Sequence, residues 1–321
     1  MAVTKEGVAG KNACKDICKT QSISAYACVL LLNMTISSLL YSFAKTTAPS
    51  LNVRFWKPLD SWVDISVLMC WKMTELGIGW FAGYDSYDMG ALTLLSHSPP
   101  LYLLVTFYEM APTVMASFLL IDIFVAYISF RFLRSISLAH TIDSHQNLSS
   151  ITNSQILTSN VIQAYLVICT ASLYAVTIFT AYRTFLPFYL VTYFNNIPNI
   201  TAVHSPFYIT QFPATLLLGL AVKCFVFTPS LITPDLNQAV AHSKAAMVPR
   251  ILHYCMRGFR PWTRVIINRT ITLMFVTGTN TFVQTHFAVK GVEFTGALVY
   301  SALWTFASGT TGLALGLIAV A

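Results

Sequence analysis

The sequence predicts an all-α membrane protein, a polytopic bundle of six to eight transmembrane helices. Three observations predict it. Of the 321 residues, 55% are hydrophobic and 10% are charged, against about 25% charged in a typical soluble domain. Mean hydropathy is +0.64. Apolar runs of about twenty residues, the length that crosses a bilayer, recur along the chain. Too little charge is left to cover a water-facing surface. No polar stretch exceeds roughly fifty residues, so an extended catalytic domain in water is excluded.

The elements follow in order, as one multi-pass transmembrane domain over 1–321. Residues 1–21 form a Lys-rich tail without a cleavable signal peptide, and Glu6 and Asp16 do not suit a mitochondrial presequence. The first span is expected near 22–44. Residues 45–100 are expected as one lumenal or extracellular loop. Within it, 62–84 is apolar and Trp-rich but holds Asp64, Lys72 and Glu75. A central charge costs about 2.5–3.5 kcal/mol on insertion scales, so 62–84 is read as an interface-lying helix. The next span, 101–130, is long and holds Pro112, which predicts a kink or tilt. Further spans are expected at 160–181, 208–230, 265–284 and 294–320. The run 185–194 is too short to cross and reads as interfacial or re-entrant.

Cation counting supports this layout. With the N-terminus cytoplasmic and 62–84 not crossing, eleven cations fall on the cytoplasmic side: Lys5, Lys11, Lys15, Lys19, Arg131, Arg134, Lys244, Arg250, Arg257, Arg260 and Arg264. Six fall on the other: Lys45, Arg54, Lys57, Lys72, Arg183 and Lys290. The loops 131–159 and 231–264 are then cytoplasmic, as the positive-inside rule requires. The sequon Asn199-Ile-Thr201 falls outside, where glycosylation occurs, and the one at Asn147 falls inside. Lys plus Arg is 19 and Asp plus Glu is 12, a net charge of +7. Because the cations lie between apolar segments, topology and anionic lipid explain them, not nucleic acid.

Chemistry-bearing patterns are sparse. Arg250, His253, Arg257, Arg260 and Arg264 recur at three- and four-residue spacing, one helical stripe. The stripe suits anionic headgroups, with a plain topology determinant as the commoner reading of such a pattern. Ser308, Gly312 and Gly316 lie four apart, a small-residue packing face. Glu109, Asp122 and Lys223 lie inside expected spans, where charges point to function; an Asp122–Lys223 ion pair is the structural alternative. Asp85-Ser-Tyr-Asp88 fits a metal-held sugar phosphate, though two Asp residues in a polar turn are more often solvated turn formers. Cys14 and Cys18 have no second pair to complete a zinc site, so no metal and no cofactor are expected.

One loop carries a family pattern. It reads Lys57-Pro-Leu-Asp-Ser-Trp62, then Met73-Thr-Glu-Leu-Gly77, Gly90, and His97-Ser-Pro-Pro-Leu101. An apolar helix holding Leu120-Ile-Asp122 follows. In that order and spacing, residues 55–135 resemble the PIG-U subunit of the GPI transamidase. Family members are usually longer, and Glu75 stands in Glu-Leu-Gly where the family has Glu-Gly. The resemblance implies a layout related to the polyprenyl-sugar glycosyltransferases of the endoplasmic reticulum membrane. It implies a non-catalytic subunit that helps bind GPI lipid or the hydrophobic C-terminal attachment signal. Its partners would be the other transamidase subunits, including the caspase-like catalytic one. The residues it singles out for lipid or ligand binding are Trp62, Glu75, His97, Pro99, Pro100 and Asp122. For the two prolines, a rigid helix start is the structural alternative. Two other function classes stay open: a lumenal glycosyltransferase using Asp85 or Asp88, and a small-solute or ion transporter.

Overall fold

The structure, a computed structural model, describes residues 23–44, 57, 61–137, 140, 159–195, 197–198, 208–230 and 261–320. They are helical, with no strands among the described residues beyond an isolated bridge between Phe194 and Val292. Five helices are long and apolar enough to cross a membrane: Ile23–Ala44, Pro112–Leu133, Asn160–Arg183, Phe212–Ser230 and Phe294–Ile318. An all-α membrane protein is therefore the architecture observed.

We number the helices α1 (Ile23–Ala44), α2 (Trp62–Phe81), α3 (Ser86–Phe107), α4 (Pro112–Leu133), α5 (Asn160–Arg183) and α6 (Leu186–Tyr193). Then come α7 (Tyr208–Val222, prolonged by a π-helical turn Lys223–Phe227), α8 (Pro261–Val283, with a π turn Gln284–Ala288) and α9 (Phe294–Val320). Local chemistry sets several starts. Asp85 caps α3 by accepting from Asp88 N–H at 2.8 Å. Pro112 opens α4 where no N–H partner is needed. Ser159 caps α5.

The expected single span 101–130 is two helices. The chain breaks between Phe107 and Pro112, with Glu109 at φ 52°, in the left-handed region that non-Gly residues rarely enter. Glu109 is thus at a helix junction and not inside a span. Pro112 marks a start, not a kink. The expected loop 45–100 likewise contains all of α2 and most of α3.

Contacts fix the directions. Asn33 reaches Ser129 while Tyr41 reaches Asp122, so α1 and α4 are antiparallel. Arg134, after α4, donates to the carbonyls of Trp80 (3.1 Å) and Tyr84 (3.0 Å) at the α2–α3 turn. Its guanidinium also lies 4.5 Å from the Trp80 ring centroid. At the opposite end, Lys57 N–H donates to Ala288 O at 2.8 Å, and Phe107 packs on Tyr182. The 82–85 turn and residues 134–137 and 140 therefore share one end of the bundle. The expected layout had placed them on opposite faces.

α8 and α9 form the tightest pair. A Cβ at Gly312 would overlap the Thr270 side chain, and one at Gly278 would overlap Thr305. These glycines let the two backbones approach, as packing between membrane helices requires. Tyr102, Tyr174, Tyr300 and Trp304 form an aromatic seam joining α3, α5 and α9.

Candidate functional site

Four helices deliver polar side chains to one buried point. His97 and Asp122 sit near the middle of α3 and α4. His97 Nδ1 lies 3.0 Å from Asp122 Oδ2. Its Nε2 lies 3.3 Å from Glu75 Oε1 and 3.4 Å from Oε2. Lys72, one turn before Glu75 on α2, donates to Glu75 Oε2 at 3.1 Å. Ser96 Oγ donates to Oε1 at 3.1 Å. From α1, Tyr41 Oη donates to Asp122 Oδ1 at 2.8 Å. Glu75 is 1% exposed and His97 7%.

The chemistry of this chain is self-contained. Two carboxylates face one ammonium and one imidazole. An imidazolium donates from both nitrogens and satisfies both carboxylates, whereas a neutral ring satisfies one. With the ring charged, the set is neutral. Buried charges persist only when paired and hydrogen-bonded in this way. No member is left as a free base or nucleophile.

The prolines connect this set to α8. Pro99 and Pro100 lie inside α3 and do not start it. Pro100 has no N–H, so the Ser96 carbonyl loses its helical donor. Asn280 of α8 supplies one, Nδ2 to Ser96 O at 2.8 Å. Asn280 Oδ1 in turn accepts from Trp71 Nε1 of α2 at 2.9 Å. Tyr300 of α9 donates to Pro99 O at 2.7 Å. The sequence motif His97-Ser-Pro-Pro is thus a docking line for α8 and α9.

A second polar set lies at one end of the bundle. Asp88 accepts from both Arg269 amino groups, at 2.7 and 2.8 Å. Arg269 also donates to Phe225 O at 2.7 Å and packs against both the Tyr84 and Phe225 rings. That carbonyl is open for the same reason as Ser96's. Pro229, four residues on, has no N–H, and a π turn spans the site. Asp85 Oδ2 accepts from Ser137 N–H at 3.1 Å and His140 Nδ1 at 2.8 Å. Burial works to raise the Asp85 pKa, but these hydrogen bonds outweigh it and hold the carboxyl well below its ordinary range. Burial likewise works to lower the His140 pKa, and the Asp85 carboxylate outweighs it, so the imidazole titrates above its ordinary value.

Asp85, Asp88 and His140 offer ligand atoms within 4.8 Å of one another. They do not suit a metal ion. Both Asp88 oxygens are taken by a guanidinium, whose charge would repel a cation there. Both Asp85 oxygens already accept bonds within the chain. The set is an ion-pair and capping network.

The other sequence candidates fall elsewhere. Trp62 is 82% exposed at the start of α2, away from the buried set. Ser308 bonds to Tyr174 Oη at 3.2 Å, and Gly316 faces Ile266 of α8. Arg264 lies in the first turn of α8. Arg250, His253, Arg257, Arg260, Asn147, Asn199, Cys14 and Cys18 lie outside the described residues. The expected Asp122–Lys223 pair does not form: Lys223 donates to Gln163 Oε1 at 2.6 Å. Tyr41, Ser96, Asn280 and Arg269 were missed by sequence reading. The available signal was polar residues in apolar runs, each needing a buried partner. No family model matches the chain, and neither does any curated protein or solved structure.

Proposed function

We propose that this chain is a non-catalytic, multi-pass subunit of an endoplasmic reticulum membrane complex, similar to the PIG-U subunit of the GPI transamidase. One observation supports the reading. Glu75, His97 and Asp122, three residues that carry the resemblance, meet in a single closed hydrogen-bonded set. Such a set holds helices in place and leaves no reactive group, which suits a subunit that shapes a membrane cavity. The physical task would be binding the GPI lipid or the hydrophobic attachment signal, with apolar burial supplying about 0.8 kcal/mol per methylene. The caspase-like subunit would supply the chemistry. A lumenal glycosyltransferase site at Asp85 and Asp88 is less well supported, because both carboxylates are already engaged.

The test is affinity purification of the tagged chain in mild detergent, with mass spectrometry of what remains bound. Recovery of a caspase-like protease and further subunits at matching amounts supports the proposal. A chain that purifies alone overturns it.

A further inference from the structure

We infer that α2, α3 and α8 cross the bilayer together with the five apolar helices, so that the outward face of α2 is a lipid-facing surface. This goes beyond the proposed function and does not rest on it.

Geometry is the first argument. α4 is apolar enough to cross, and α2 and α3 run between the same two levels. α2 starts beside Ala288, through Lys57, and ends where Arg134 donates to the Trp80 carbonyl in its last turn. α3 starts beside Ser137 and His140 and ends against Tyr182, near the end of α5. α8 pairs with α9 along most of its length, from Ile266 opposite Gly316 to Gly278 opposite Thr305. A slab of hydrocarbon that contains α4, α5 and α9 contains these three as well.

The direction of the charges is the second. An interface-lying helix turns its charges to water. α2 does the reverse. Asp64 is 6% exposed and Glu75 1%, while Trp62 and Val63 are 82% and 66% exposed and Met69 and Met73 are exposed too. Trp62, Val63, Ser66, Val67 and Cys70 line a shallow groove of about 420 Å³ on that face. Its hydroxyl is spoken for: Ser66 donates to Trp62 O at 2.7 Å. Exposed Thr35, Thr74, Ser172, Thr180 and Thr192 bond back to their own helices in the same way. Hydroxyls satisfied within their helix are what hydrocarbon demands. The occupant of the groove is a lipid acyl chain, continuous with the lipid around α1 and α4.

The eight crossings alternate, so both ends of the described helical chain lie on one side. That side receives the same eleven cations counted from sequence, against Lys45, Arg54, Lys57, Arg183 and Lys290 on the other. Lys72, Lys223 and Arg269 stay inside the bundle. The positive-inside bias is kept, and the 82–85 turn moves to the cytoplasmic face.

The experiment labels cysteines with a membrane-impermeant, sulfonated maleimide in sealed vesicles of known orientation. Cys70, native and exposed on α2, is read in the wild-type chain by peptide mass spectrometry. Ala82→Cys, Ser135→Cys and Lys290→Cys report the two faces. The expected result is that Ala82→Cys and Ser135→Cys label from one side and Lys290→Cys from the other. Cys70 stays unlabelled until the membrane is dissolved. Labelling of Ala82→Cys from the Lys290→Cys side overturns the inference. So does labelling of Cys70 in intact membranes, a readout that needs no substitution.

Discussion

Asn280 on α8 donates to the carbonyl of Ser96 on α3 at 2.8 Å, and Pro100 is the reason that carbonyl is open. Arg269, eleven residues earlier on α8, does the same for Phe225, whose carbonyl Pro229 leaves open. One helix therefore repairs two proline-made gaps in its neighbours.

Replacing Asn280 with Ala should orphan Ser96 O and Trp71 Nε1. Each buried orphan costs about 1–3 kcal/mol. The unfolding midpoint in detergent should fall accordingly. In a Pro100→Ala background the backbone regains its own donor, and the same Asn280→Ala change should cost clearly less. Equal costs in both backgrounds would contradict the account of the gap.

His97→Leu should be severe. It removes the partner that both buried carboxylates share and leaves the set with one negative charge in excess, and breaking a buried pair costs about 3–5 kcal/mol. Adding Asp122→Asn removes that excess charge and should recover part of the loss. Thermal unfolding of the two single variants and the double variant measures the coupling. Simple additivity would show that the residues do not share a charge.

Stability should depend on pH through Asp85 and His140. The folded Asp85 pKa is depressed, so its contribution is present above its unfolded value and lost as pH falls. The folded His140 pKa is raised, so its contribution is complete below its unfolded value and lost as pH rises through the folded one. Unfolded values near 3.9 and 6.5 place the strongest contribution between about pH 4 and pH 6.5. His140→Ala should abolish the decline on the alkaline side and weaken the acid one. A protease-protection series in detergent across pH 3–9 reads both limbs.

The two glycines of the α9 stripe should respond differently. Gly312→Ala places a methyl against Thr270, and overpacking of this kind costs about 1–3 kcal/mol. Gly316→Ala meets only Ile266, at 3.9 Å, and should be close to neutral. Comparing the unfolding midpoints of the two variants checks the packing of α8 on α9.

Much of this was legible in the sequence, and its limits are physical. Apolar runs gave the bundle, because a bilayer demands them whatever the tertiary contacts. Glu75, His97 and Asp122 were singled out in apolar settings. Their meeting was not visible, since 25 positions separate His97 from Asp122 and only helix packing brings them together. Hydropathy counts the charges of α2 without asking where they point. Lys72 and Glu75 point at each other. The α3–α4 break was missed because 101–130 is apolar on both sides of Glu109 and Pro112, and the left-handed turn at Glu109 has no Gly to announce it.

The four-helix charge set also has a history in time. A ribosome emits Tyr41, Lys72, Glu75 and His97 in that order, and Asp122 follows 25 residues after the histidine. Until α4 emerges, His97 has only Glu75 for company and Tyr41 has no acceptor in the set. The set is therefore incomplete until residue 122 has been made. Damage at Asp122 should register first in the quality-control machinery of the cell, as nascent chains destroyed before assembly.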